Sequence, residues 1–238
     1  MGRVLTGLMN VIYPRRCPAC HEAVRPFGAV ICDGCADRFS YIREPVCPCC
    51  GKELAEGTPG LCEGCRRIEN GLSGGAALFH YDGTARASMA KFKYEGRCEY
   101  ADFYVQELLA RYREKILSWK PQLIVPVPVH KSRLKERGYN QAAEVAVRLG
   151  EALGIPMDQD LLLREKKTAA QKELGAGERA ENLKGAFTVA HDAAGIERVL
   201  LVDDIFTTGL TVKNCTEALK AAGIREVYGC FVCISEDY

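Results

Sequence analysis

Two features of this sequence could do chemistry: a pair of acids running into a threonine-rich turn, and eight cysteines in repeated pairs. Asp203 and Asp204 follow four consecutive apolar residues, Val199 to Val202, and precede Thr207, Thr208, Gly209 and Thr211. A short apolar run bounded by charges suits a strand buried on both faces of a parallel sheet. Adjacent carboxylates at the carboxyl end of such a strand are costly unless water, a metal ion or a polyhydroxyl ligand satisfies them. That edge of an open α/β sheet is also where ligands bind. Beyond the turn, Val212, Cys215, Leu219 and Ala222 have the apolar spacing of a helix. A hydroxyl-bearing turn that opens a helix offers backbone N–H groups, side-chain hydroxyls and the positive end of the dipole to a phosphate. Gly209 lets the ligand approach closely. Acids and a phosphate cradle this near to one another describe a ribose 5-phosphate. The competing interpretation is an acid-capped strand followed by an ordinary turn.

Cys17, Cys20, Cys32 and Cys35 are spaced x2, x11, x2, and Cys47, Cys50, Cys62 and Cys65 repeat that spacing thirty residues later. Cys-Pro-x-Cys opens each unit, and Cys-Asp-Gly-Cys or Cys-Glu-Gly-Cys closes it. Each Cys-x-x-Cys aims two thiolates at one ion, so each unit supplies a closed tetrahedral Zn²⁺ site of structural type. Cys49 aligns with Ala19 and is left out of the ligand set; His21, His80, His130 and His191 read as ordinary polar residues. Neither unit has enough apolar residues to fold alone. Metal must supply the folding free energy, on the order of 10 kcal/mol per site.

The chain has 238 residues, 13 cysteines and a net charge of +1, so no global field favours nucleic acid or membrane. Residues 1–70 carry nine Lys or Arg against eight Asp or Glu, and eight thiolates with two Zn²⁺ add a further minus four. The ribbon is therefore not strongly cationic, although Arg15-Arg16 and Arg66-Arg67 could touch phosphates. Met1 to Tyr13 has helical apolar spacing but is too short for a signal peptide or membrane span, and cysteine pairs without such a signal point to metal rather than disulfides. A cytoplasmic protein is expected.

The residues 70–75 read as a linker, dividing the chain into a double zinc ribbon with a short amino-terminal helix (1–70) and an α/β domain (71–238). Strands are expected at Ala76 to Tyr81, Leu123 to Val127, Leu161 to Arg164, Phe187 to Val189, Val199 to Val202 and Glu226 to Ile234. Helices are expected at Thr84 to Tyr94, Ala101 to Trp119 and Ala142 to Leu153. Strand, helix, strand order gives a parallel sheet with right-handed crossovers. Lys131, Arg133, Lys135 and Arg137 alternate in what reads as a loop after the Leu123 strand, suited to a polyanion; a solvated basic loop would look the same. The polar stretch from Lys166 to Gly185 is long enough to be functional. Cys230 and Cys233, three apart on a strand, point to opposite faces and read, with Cys98 and Cys215, as packing residues. No Gly-x-x-x-x-Gly-Lys or Gly-x-Gly-x-x-Gly stretch occurs, which counts against kinases and dinucleotide oxidoreductases.

The stretch Val199 to Thr211 resembles the phosphoribosyl pyrophosphate (PRPP) motif of the type I phosphoribosyltransferases. That resemblance implies that Asp203 and Asp204 hold the ribose hydroxyls, partly through Mg²⁺, while Thr207, Thr208, Gly209 and Thr211 hold the 5-phosphate. It further implies that Lys131, Arg133 and Arg137 meet pyrophosphate. Residues 166–185 would form a flap to which Lys167, Thr168, Gln171, Arg179 and Asn182 contribute. With the double cysteine ribbon and the Arg-Leu-Lys-Glu-Arg-Gly-Tyr-Asn-Gln segment, nearly the whole chain resembles the ComF (ComFC) family of competence proteins. The family implies a part in DNA uptake, either as a Mg²⁺-dependent transferase of unknown acceptor or as a single-stranded-DNA-binding factor that only retains PRPP binding. Related amidophosphoribosyltransferases carry an amino-terminal Cys nucleophile and a glutaminase domain, which this chain lacks. Metal analysis of the purified protein is expected to find two zinc ions per chain; one or none would break the paired-ribbon assignment.

Overall fold

The computed structural model describes residues 14–164 and 185–235. Strands β1 (Gly74–His80), β2 (Leu123–Pro126), β5 (Arg198–Phe206) and β6 (Glu226–Ile234) form one parallel sheet in the order β1-β6-β5-β2. The reason is visible in β5. Leu200 and Val202 enter one apolar core, and Val199 and Leu201 enter the other. A central strand covered on both faces must be apolar at every position, which is why this run does not alternate.

Helices α2 (Gly83–Tyr94), α3 (Tyr100–Ser118) and α5 (Gln141–Leu153) cover one face through Met89, Phe92, Tyr104, Leu108, Val145 and Leu149. Helix α6 (Leu210–Ala221) covers the other through Val212, Cys215 and Leu219. The connections leaving β2 and β5 therefore lie on opposite faces, and a crevice opens between the carboxyl ends of these neighbouring strands. Cys215, Cys230 and Cys233 are fully buried among these side chains, as packing residues should be, whereas Cys98 is half-buried.

Two expectations are corrected. Strands β3 (Leu162–Arg164) and β4 (Phe187–Val189) do not join the parallel sheet but pair with each other, antiparallel. Leu162 is fully buried while Leu163 is 39% exposed, so this strand has only one face to hide and no place in a doubly covered sheet. The basic segment after β2 is not a loop but a short helix, α4 (Lys131–Arg137), capped by His130 Nδ1 accepting from the Ser132 amide at 3.1 Å. The expected amino-terminal helix and the flap residues Lys167, Thr168, Gln171, Arg179 and Asn182 lie outside the described residues.

The cysteine units share a local design. His21 N–H donates to Cys17 O at 2.9 Å and Gly51 N–H to Cys47 O at 2.8 Å, each thirty residues apart and each with a left-handed backbone at the donor (φ 66° and 77°). The segment joining the units pairs with edge strand β1, with Ile42 N–H donating to Leu78 O at 3.0 Å and His80 N–H to Ser40 O at 2.8 Å. The second unit sits so close that a Cβ at Gly51 would lie 2.6 Å from the Ala77 amide, and one at Gly75 would lie 2.5 Å from Cys49 O. Phe39 stacks on Phe79 at 4.6 Å within one core, and Ile42 enters the other. The ribbon thus covers a sheet edge that would otherwise expose unpaired backbone groups. A protein lacking residues 1–70 is expected to self-associate and to lose cooperative unfolding, measured by size-exclusion chromatography and calorimetry. A monomeric fragment with the full-length melting temperature would refute this.

Candidate active site

Strand β2 ends at Pro126, opposite Val202, so beyond that point β5 has a strand partner only on the β6 side, where Asp203 faces Phe231. Both acids lie on this overhang, inside the strand rather than after it, since β5 continues to Phe206. Asp204 is buried and Asp203 half-buried. The Asp204 amide donates to Asp203 Oδ1 at 2.9 Å. Lys93 Nζ lies 2.9 Å from Asp204 Oδ2, and both side chains are largely shielded from solvent.

Thr207, Thr208 and Gly209 form the turn into α6. Gly209 caps the helix with a left-handed backbone (φ 80°), where a Cβ would also crowd the Phe206 ring at 3.0 Å. Thr208 Oγ1 accepts from the Leu210 amide at 3.2 Å, so this hydroxyl holds the turn, while Thr207 and Thr211 line the cavity beside the acids. The turn is built by a positive φ followed at once by a helix amino terminus, the geometry in which backbone N–H groups converge on an anion.

The opposite wall comes from the segment after β2. Residues two apart on a helix diverge by about 200°, whereas residues four apart share a face. The alternating basic residues are therefore sorted. Arg133 and Arg137 face the acid cavity, and Lys131, with Leu134, faces a neighbouring cavity bounded by Tyr139, Leu162 and Leu163. Asn140 caps α5 through its contact with the Ala142 amide at 3.1 Å, and its Nδ2 donates to Val127 O at 3.0 Å, fixing the floor between the two strands.

Three participants escape the sequence reading. Lys93 lies four residues after buried Met89, next to buried Phe92; a lysine on the core-facing side of a helix is a signal that a buried acid waits for it. Tyr94 holds Arg137 in place, its hydroxyl accepting from Nη2 at 3.2 Å with the guanidinium 5.0 Å from the ring centre. Arg164, at the end of β3, reaches the same cavity from the β3–β4 pair and lies 5.5 Å from the Phe187 ring centre. Its partner strand is distant in sequence, so nothing local announces it.

The metal sites are closed. In each unit the four Sγ atoms lie within 4.8 Å of one another. Cys20 and Cys32 are 4.0 Å apart and Cys50 and Cys62 3.7 Å, close to the roughly 3.8 Å edge of a tetrahedron with 2.3 Å Zn–S bonds. Backbone amides support the thiolates, Arg25 N–H donating to Cys32 Sγ at 3.3 Å and Cys62 N–H to Cys47 Sγ at 3.3 Å. Cys49 stands outside both quartets, as expected from its alignment with Ala19.

Residues 8–66 match the model of the double zinc ribbon domain. The chain is 30% identical to competence protein F of Haemophilus influenzae over 89% of this chain and 93% of that one. It is 32% identical to the DNA utilization protein YhgH of Salmonella typhi, covering 83% and 87% respectively. With competence protein ComFC of Bacillus subtilis the identity is 24%, over 81% and 79%. The overlay on a solved purine phosphoribosyltransferase from Pyrococcus horikoshii is loose, with a TM-score of 0.35 at 21% identity over 57% of this chain and 84% of that one. Among the described residues no helix is long and apolar enough to cross a membrane.

Burial, and then the adjacent charge of Asp204, push the Asp203 carboxyl up from its ordinary 3.8 to about 8. A carboxyl with a native pKa above its unfolded one binds more protons folded than unfolded, so it makes stability fall as pH rises through the window from about 4 to about 8. Asp203→Asn is therefore expected to melt several degrees above the parent protein at pH 8, with the gap closing toward pH 4. A gap that is absent, or that widens in acid, would show that Asp203 is not strained in this way.

Proposed function

Because the chain belongs to the competence protein F (ComF) family, we propose that it binds PRPP in the crevice between β2 and β5 and acts as a Mg²⁺-dependent phosphoribosyltransferase. One observation carries this reading. A carboxylate pair, a hydroxyl-rich turn at a helix amino terminus, and Arg133 with Arg137 all line a single cavity. Those three groups match the diol, the monophosphate and the diphosphate that one PRPP molecule carries together.

In this reading the turn from Thr207 to Thr211 takes the 5-phosphate through backbone N–H groups and the hydroxyls of Thr207 and Thr211. Asp203 and Asp204 accept hydrogen bonds from the ribose 2- and 3-hydroxyls, and their negative charge favours the positive charge that grows at C1 as its bond to pyrophosphate lengthens. Arg133, Arg137 and Arg164 receive the departing pyrophosphate. Lys93 Nζ, 2.9 Å from Asp204 Oδ2, sets a positive charge beside the pair, in which the Asp203 carboxyl sits at a raised pKa. The carboxylate oxygens, with no thiolate or imidazole among the described lining residues, form a donor set suited to a hard cation. Mg²⁺ entering with PRPP would supply further charge neutralisation of the diphosphate. No side chain need attack, because the acceptor is the nucleophile.

The names of two relatives, a competence protein and a DNA utilization protein, support a setting in the use of DNA. Titration calorimetry with PRPP, with and without Mg²⁺, tests the proposal. Binding is expected in the parent protein, strengthened by Mg²⁺ and weakened at least about 100-fold in Asp203→Ala/Asp204→Ala, where two charge-assisted hydrogen-bonding groups are lost. Equal binding by parent and double variant would remove PRPP from this crevice.

A further inference from the structure

The second zinc site and the phosphate-binding turn meet on one residue, Asn70, which is 1% exposed. Its Nδ2 donates to Cys65 Sγ, a zinc ligand, at 3.4 Å. Its Oδ1 accepts from the Leu72 amide at 3.1 Å and from the Cys49 thiol at 3.1 Å. Its backbone carbonyl accepts from Thr216 Oγ1 at 2.5 Å, and Thr216 is also 1% exposed, on the buried face of α6. The side-chain Nδ2 comes within 3.7 Å of where a Cβ on Gly209 would stand, so it lies against the turn.

Neighbouring contacts extend the same joint. Cys62 caps, and Cys65 lies within, the short helix α1 (Glu63–Ile68), so two of the four ligands of the second site are part of one rigid turn. Carbonyls at its last residue and beyond are taken by α6: Lys213 Nζ donates to Ile68 O at 3.2 Å, and Lys220 Nζ to Gly71 O at 2.6 Å. Residues 213, 216 and 220 form one stripe of that helix. The first zinc site has a different neighbour. Its unit meets α3, through His21 Nδ1 at 3.1 Å from Tyr100 Oη and the Arg15–Asp102 ion pair.

We propose that Asn70 is a positioning residue that transmits the state of the second zinc site to the PRPP turn, so that zinc at Cys47, Cys50, Cys62 and Cys65 and PRPP at Thr207–Thr211 bind cooperatively, whereas the first site is uncoupled. The physical basis is that α6 can be placed only as accurately as the carbonyls it grips. Those carbonyls are fixed by the cysteines that close around the metal. Loss of zinc, or of the Asn70 bridge, leaves the helix free to shift its amino terminus, where N–H groups must converge within hydrogen-bonding distance of the phosphate. The inference rests on the PRPP assignment above.

Thr216→Val, Thr216→Ser and Asn70→Ala are to be compared with the parent for zinc content, melting temperature and PRPP affinity by calorimetry. Thr216→Val and Asn70→Ala are expected to keep two zinc ions and to lose about tenfold in PRPP affinity, with Thr216→Ser restoring it. By reciprocity PRPP should raise the second site's zinc affinity in equilibrium chelator competition by a similar factor, so that less zinc is released there, and leave the first unchanged, the sites being told apart by mass spectrometry of alkylated cysteines. Variants that melt lower but bind PRPP like the parent, or zinc release unaffected by PRPP, would reduce Asn70 to a packing residue and overturn the inference. Should a variant fail to fold, the zinc-release arm on the parent protein decides. Absence of PRPP binding by the parent itself would instead defeat the earlier proposal, and the coupling with it.

Discussion

Two neighbouring carboxylates, one buried and one half-buried toward the end of a central strand, are the constraint to which the rest of the α/β unit answers. Burial, and then the adjacent Asp204 charge, oppose ionisation of Asp203. The fold meets that cost in two ways. Lys93 comes from α2 to pair with Asp204, and Arg133 and Arg137 from α4 and Arg164 from β3 line the same crevice. Strand β5 outruns β2, so the acids have room for a ligand on one side and a strand neighbour on the other. In the proposed function the ligand brings hydroxyls to these acids and phosphates to these arginines.

The cysteine ribbon answers a different need. With little apolar material of its own, it folds around metal and then serves as a wall for the sheet. Its linking segment pairs with edge strand β1, its two halves enter the two cores, and its closing turn grips α6. Zinc therefore contributes to the geometry of a cavity that it does not touch. The two metal sites are alike in sequence but not in position. One braces α3 and the other the helix that begins at the phosphate turn.

Patterns of short range were readable in advance. The thirty-residue cysteine repeat, the apolar run of β5, the glycine that turns the chain into α6 and the helical stripes of α3 and α5 are all set by neighbours along the chain, so spacing reveals them. The failures have a common cause. The alternating basic residues looked like one surface until α4 formed and its 100° steps separated Lys131 from Arg133 and Arg137. Leu162 looked like a core strand because three leucines do not reveal how many faces will be covered. Lys93 carried a signal, a charge on the buried side of a helix, but its meaning depended on an acid 111 positions later.

By itself the sequence determined the chemistry available: thiolates spaced for closed tetrahedra, acids at a strand end, and a threonine-glycine turn fit for phosphate. Only the tertiary structure decided which of these groups meet. Ligand spacing and strand burial are local properties of a few residues. The meeting of Lys93 with Asp204, of Arg164 with Arg133, and of Asn70 with both a zinc ligand and α6 follows from how four parallel strands are ordered and which face each helix covers. That ordering is fixed by the packing of the whole core, which no single stretch of chain encodes.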